Sequence, residues 1–166
     1  MPTDAHPPAG PAHAREFPFA AGTGAVSVAF AAHRRAPVTG DHIDLFIGSA
    51  ATPPPDPDAR VARTFRLATS AFAEGAPFPG IVDAVELEPH RAEYLSLERP
   101  RELSDGRGNV EPLRRETGVA AVHDDRLELH CGAWSAFAER VDSARWRFTF
   151  RLVEGGRSTC PSTSNR

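Results

Sequence analysis

The chain has 166 residues, 40% of them hydrophobic, which is enough for the core of one domain and too much for a wholly disordered protein. A net charge of -3, from 19 basic and 22 acidic residues, excludes the global basic field of a general nucleic-acid binder. Two cysteines, Cys131 and Cys160, exclude a disulfide framework.

Every basic residue is arginine. That bias reads as G+C-rich coding, and it leaves planar, fork-shaped donors wherever a phosphate is to be held. No apolar run reaches membrane-spanning length, and MPTDAHPPAG lacks the basic start and hydrophobic stretch of a secretory signal, so the expectation is a cytoplasmic protein without a membrane partner.

Residues 1–24 are rich in Pro, Ala and Gly without a period and read as a disordered leader in which His6 and His13 are idle. From Ala25 the alternation of Val26, Val28 and Phe30 predicts a first strand that delivers His33 at its end. A Pro- and Gly-containing loop, Arg34 to Asp41, turns the chain into a second strand, His42 to Ile47, half-buried by its alternation of polar and apolar residues. The pair forms a hairpin with a histidine on each side of its mouth. Residues i and i+2 of a strand share a face, so His42 and Asp44 project together. An imidazole and a carboxylate side by side suit a divalent cation, and His33 is placed to supply a third ligand.

After the run Pro53-Pro54-Pro55-Asp56-Pro57, Arg60 to Ala68 reads as a strand, and Thr69 to Pro79 as a loop with Phe72 and Phe78 beneath it. Ile81 to Leu87 is a further strand. It runs into HRAEYLSLERP, where His90, Tyr94 and Glu98 recur at intervals of four, on one side of either a helix or a strand. Ser104 to Asn109 carries two glycines among small polar residues and is the strongest turn signal in the chain. Glu98 is expected to bond the amides of that turn. Val110 to Arg115 is a strand, and Val119–Val122 with Leu127–Cys131 forms a hairpin. His123 in its turn and His130 on its edge are not ligands.

Trp134 to Val141 reads as a short helical piece. Arg145 to Val153 alternates Trp146, Phe148, Phe150 and Leu152 against a basic solvated face, and Trp134 and Trp146 are core residues. Residues 155–166 are a disordered tail, which leaves 25–154 as the domain. Many short strands with few helical windows point to a mainly all-β fold with short helical segments, a barrel or a sandwich. Because closure removes exposed edges, the expectation taken forward is a small closed or partly open β-barrel.

With these residues in place, the chain resembles the 3′-phosphoesterase module of bacterial DNA ligase D and its small stand-alone relatives. In that module a first histidine precedes a His-Tyr-Asp-Phe strand, as His33 here precedes His42-Ile43-Asp44-Leu45. A later His-x-x-x-Tyr before an acidic residue and a Gly-rich turn is matched by His90 and Tyr94, then Glu98 and Ser104-Asp105-Gly106-Arg107-Gly108. Thr64-Phe65-Arg66-Leu67 sits where small members carry a Thr-Trp-x-Leu-like strand. The likeness spans about Val26 to Cys131.

It implies a small β-barrel with an open groove and a Mn2+-dependent activity, other divalent cations serving too, that removes a terminal ribonucleoside and then the 3′-phosphate from nucleic-acid ends. By the same resemblance His33, His42 and Asp44 hold the metal, and His90 and Tyr94 contact the scissile phosphate. Arg34, Arg35, Arg91 and Arg107 are candidate clamps for the nucleic-acid backbone, and a DNA ligase or polymerase is the expected partner of a monomeric protein.

The chain departs from the module in three places. Leu45 is followed by Phe46, where the module carries an arginine; the step from His33 to His42 is longer; and no arginine equivalent precedes the second histidine segment. These departures define the alternative: a catalytically decayed barrel that binds nucleic-acid ends or a repair-protein partner.

Overall fold

The computed structural model describes residues 17–50, 56–68 and 80–153. The chain forms nine strands: β1 Gly22–Arg34, β2 His42–Ser49, β3 Arg60–Leu67, β4 Ile81–Arg91, β5 Arg101–Glu102, β6 Asn109–Val122, β7 Arg126–Cys131, β8 Trp134–Arg140 and β9 Arg145–Leu152. The sheet runs β1-β2-β3-β4-β9-β8-β7-β6, and β1 pairs back onto β6, which closes an eight-stranded antiparallel barrel with β5 appended to β6. Closure leaves no long unpaired edge among the described strands. No helix among the described residues is long and apolar enough to cross a membrane.

Strict alternation fills the interior. Val26, Val28, Phe30 and Ala32 of β1 meet Ile43, Leu45 and Ile47 of β2, Phe65 and Leu67 of β3, and the far wall of Leu127, Leu129, Trp134, Trp146, Phe148 and Phe150. Trp134 and Trp146 are core residues as expected, and each satisfies its indole N–H on a carboxylate: Trp134 Nε1 donates to Glu116 at 3.0 Å and Trp146 Nε1 to Glu86 at 2.8 Å. Arg63, only 5% exposed, lies over the Phe65 and Trp146 rings and donates from Nε to Glu86 at 2.8 Å. Buried charge is tolerated there because it is paired.

The structure corrects several expectations. Trp134–Arg140 is a strand, not a helical piece: it pairs with β7 on one side and β9 on the other, and Trp134, Ala136 and Ala138 all point inward. Two ladders of backbone bonds and a period-2 apolar face override the helix propensity of its alanines. The segments read as separate strands before and after Arg115 are one strand, β6; the register against β1 shifts between Phe30 and Ala31, opposite Arg114 and Pro112, so a bulge at Leu113 carries the strand past the proline. The first strand begins at Gly22 rather than Ala25, and Phe17 packs against the core beside Gly24, so the end of the expected leader belongs to the barrel. Leu152 is exposed, unlike Trp146, Phe148 and Phe150. His6, His13, Phe72, Phe78, Cys160, the Pro53–Pro55 run and the tail from residue 155 lie outside the described residues.

A second, smaller core sits on the outside of the barrel. Ala29, Ala31, Phe46, Ala62 and Val110 point away from the interior and are covered by Leu95, Tyr94, Leu97 and Leu103. The covering segment leaves β4 at Arg91, makes a single 3-10 turn over Ala92–Leu95, and returns through β5 and the glycine-containing turn to β6. Alanines on the outer face of β1 and β3 leave room for this cover. β2 is therefore buried on both faces rather than half-buried.

Replacing Glu86 with leucine strands the Arg63 guanidinium in the barrel wall. Urea denaturation of the Glu86→Leu protein is expected to show a loss of about 3 kcal/mol, and an unchanged midpoint would contradict the role given to this pair.

Candidate metal centre

The β1–β2 hairpin builds the site. In its antiparallel register His33 stands directly opposite His42, and their rings stack with centroids 4.6 Å apart and planes 10° from parallel. Asp44, two residues along β2, shares the outward face. His33 Nε2 lies 3.3 Å and His42 Nε2 3.7 Å from the same oxygen, Asp44 Oδ2. One ligand atom from each residue falls within a 4.8 Å cluster, so the group can hold a metal ion, as the sequence led one to expect.

The state of these atoms argues for a cation. Asp44 is 1% exposed, yet neither of its carboxylate oxygens has a hydrogen-bond partner, and His33 Nε2 is also unpartnered. Burying a carboxylate without compensation is costly. His33 does not compensate, because burial holds it down from its ordinary value to about 4, over the opposing pull of Asp44, and a neutral imidazole offers a lone pair rather than a charge. His42 Nδ1 donates to Gly40 O at 2.7 Å, which fixes the tautomer and leaves Nε2 as the electron-pair donor aimed at the cluster. The accepting carbonyl is presented by the hairpin loop, where Gly40 adopts a φ of +69°.

Arg66 also belongs to the site, although the sequence did not single it out. It pairs with Asp44 across β2 and β3, and its Nε lies 3.5 Å from Asp44 Oδ1. Its signal was only its place in the Thr-Phe-Arg-Leu strand; the register that sets it beside Asp44 is a tertiary fact.

The cluster opens into a cavity of about 390 Å³. Residues 36–39 form one lip, and Leu103 to Arg107 form the other. His90 and Tyr94 line the same cavity, so the structure brings these two sequence-identified residues together with the triad. His90 comes from the end of β4 and Tyr94 from the 3-10 turn, and the interval of four serves a strand-to-turn corner rather than one regular element. Their rings meet edge to face at 5.7 Å, and His90 Nδ1 donates to Glu88 O at 2.9 Å. Gly108, with a φ of +87°, lets the covering turn touch β1: a Cβ there would lie 2.2 Å from Arg34 O.

The candidate arginines are scattered. Arg107 lines the cavity at the His-His-Asp cluster. Arg91 lines an adjoining cavity and pairs with Asp58 at 3.1 Å. Arg34 is exposed and 3.9 Å from Glu111, and Arg35 borders a depression beside Pro100 and Asn109; neither lines the metal cavity. Glu98, expected to bond the amides of the Gly-rich turn, instead accepts from Arg115 at 3.4 Å on the surface. His123 and His130 are exposed and outside the cluster. Cys131 is a buried thiol, pushed up to about 11 by desolvation.

Family models, curated proteins and solved structures were all compared with the chain, and none matches it.

Isothermal titration with a divalent transition metal is expected to give one site per chain. Asp44→Asn, which keeps the shape and removes the charge, is expected to weaken it by about 100-fold or more. Equal affinity in the variant would remove the triad as the site.

Proposed function

We propose that the protein is a divalent-metal-dependent phosphoesterase that removes a 3′-phosphate or a 3′-terminal ribonucleoside from nucleic-acid ends, the activity implied by its resemblance to the DNA ligase D module. The observation that carries this reading is the convergence, in one cavity, of a buried His-His-Asp cluster, whose His33 Nε2 and Asp44 oxygens lack hydrogen-bond partners, with His90 and Tyr94. Mn2+ is the ion the resemblance implies, acting in the cytoplasm on ends that a ligase or polymerase then uses.

His33, His42 and Asp44 would hold the cation, which when bound supplies Lewis acidity toward a phosphoryl oxygen. The chain's own groups do the rest. His90 already donates from Nδ1 to Glu88 O, so its other nitrogen is left for the substrate. Water would attack the phosphorus and release its proton to solvent, while His90, in its imidazolium form, donates Nε2–H to the oxygen that leaves as the ester P–O bond breaks. The Tyr94 hydroxyl donates to a non-bridging oxygen, and the ring is held in place by stacking on Phe46 at 4.9 Å. Arg66 holds Asp44 on one side and places positive charge on the cavity wall. It offers, from β3, a cation in place of the arginine that the module carries at the position of Phe46.

Phe46 also favours a second reading. It fills the outer core against Tyr94 and His90 instead of reaching a phosphate, as in a barrel that has kept end binding and lost hydrolysis. Such a protein would bind nucleic-acid ends with steep salt dependence and release no phosphate.

A primer-template ending in a 3′-phosphate, incubated with Mn2+, is expected to release inorganic phosphate. His90→Ala should lower the rate by about 100-fold or more, and His42→Ala should abolish release together with metal binding. If the folded, metal-loaded protein releases none, the hydrolytic reading fails.

A further inference from the structure

Beyond His90 and Tyr94 lies a second cavity of about 340 Å³, which shares His90, Tyr94, Leu103 and Arg107 with the metal cavity. Its wall carries four arginines, Arg60, Arg91, Arg101 and Arg107, against two glutamates, Glu93 and Glu102, on a chain whose net charge is -3. The four are not equivalent. Arg101 is committed to Glu93 by a two-pronged bond of 2.8 and 2.9 Å, and Arg91 pairs with Asp58. Arg60 bonds to a neutral oxygen, Pro89 O at 3.1 Å, and Arg107 to Ser104 O and Oγ, both at 3.1 Å. Among the described residues neither has a carboxylate within ion-pair distance, and both are exposed.

Two guanidinium forks without acidic partners, in a polar recess one side chain away from the metal cluster, match the chemistry of a phosphodiester. Arg101 contributes by fixing the wall between the cavities: its guanidinium sits 5.8 Å over the Tyr94 ring while Glu93 neutralises it. A phosphate seated here and a second one at the triad would flank His90 and Tyr94, as successive phosphates of one strand do.

We propose that this recess is a second phosphate subsite, built by Arg60 and Arg107, which takes the penultimate phosphodiester of a strand whose terminal phosphate lies at the metal cluster. The inference rests on the phosphoesterase reading of the metal cavity and adds to it the side chains that would select an oligonucleotide end over a free mononucleotide, which reaches only one of the two sites.

The test measures binding of a 5′-labelled oligothymidylate ending in a 3′-phosphate, and of thymidine 3′-phosphate, to the Mn2+-loaded full chain and to its Arg60→Gln/Arg107→Gln variant. Metal titration checks that the variant is folded, and Arg60→Gln alone provides a milder second variant. The wild type is expected to prefer the oligomer, and the double variant to lose about tenfold of that preference. Its log affinity should also fall less steeply with log salt, by about 0.7 for each phosphate that the variant no longer neutralises. Equal preference and equal salt slope in wild type and variant would overturn the subsite. Phosphate release from both substrates, followed in parallel, separates the two claims. Release without any oligomer preference keeps the hydrolytic reading and removes the subsite. Preference that disappears in the variant, without release from either substrate, keeps the subsite and removes the hydrolytic reading.

Discussion

Asp44 is the constraint on which the outer wall of this barrel depends. A carboxylate 1% exposed, with two imidazole nitrogens and one guanidinium nitrogen between 3.3 and 3.7 Å away and no hydrogen bond to any of them, is not a settled arrangement. Arg66 offsets part of its charge from one side. The Nε2 atoms of both histidines face the other oxygen, and together with it they frame a space that can hold a positive ion. Buried polar groups are normally satisfied, and an exception of this kind, set among three ligand-type side chains, suits a cation site.

The fold produces this geometry by using both faces of one hairpin. Inward, β1 and β2 supply the barrel core; outward, they present His33, His42, Asp44 and Phe46 to a covering segment that runs from Ala92 through the turn at Asp105 and Gly106. That cover makes the site a cavity instead of an open surface patch. It also brings Tyr94 and Arg107 to the cavity of the His-His-Asp cluster, although both lie far along the chain from the hairpin. The rigid sheet holds the ligands, and the loops supply the groups that would meet a substrate, a division of labour common to sites on barrels.

The triad was legible in the sequence because its geometry is local. Two-residue periodicity puts His42 and Asp44 on one face, and a hairpin with a short loop sets His33 opposite. The all-β class followed from the count of alternating segments, which left barrel and sandwich both open; closure is decided by the pairing of β1 with β6. Other features depend on which strands become neighbours, and no single segment encodes that. Arg66 acquires meaning only through the β2–β3 register, and Arg60 only through the covering segment that folds back over the end of β3. The alanines around Trp134 read as helical because the strand that buries them is flanked by partners on both sides. Phe46 looked like the apolar half of an alternating pattern, and only the second core explains why it faces outward and is fully buried.

The central claim, that the hairpin mouth is a metal centre, is tested most directly by anomalous diffraction at the manganese edge from crystals grown with Mn2+. The account predicts one strong peak within bonding distance of His33 Nε2, His42 Nε2 and an oxygen of Asp44. A metal-saturated crystal with no peak there, or with its manganese bound elsewhere on the chain, would contradict it.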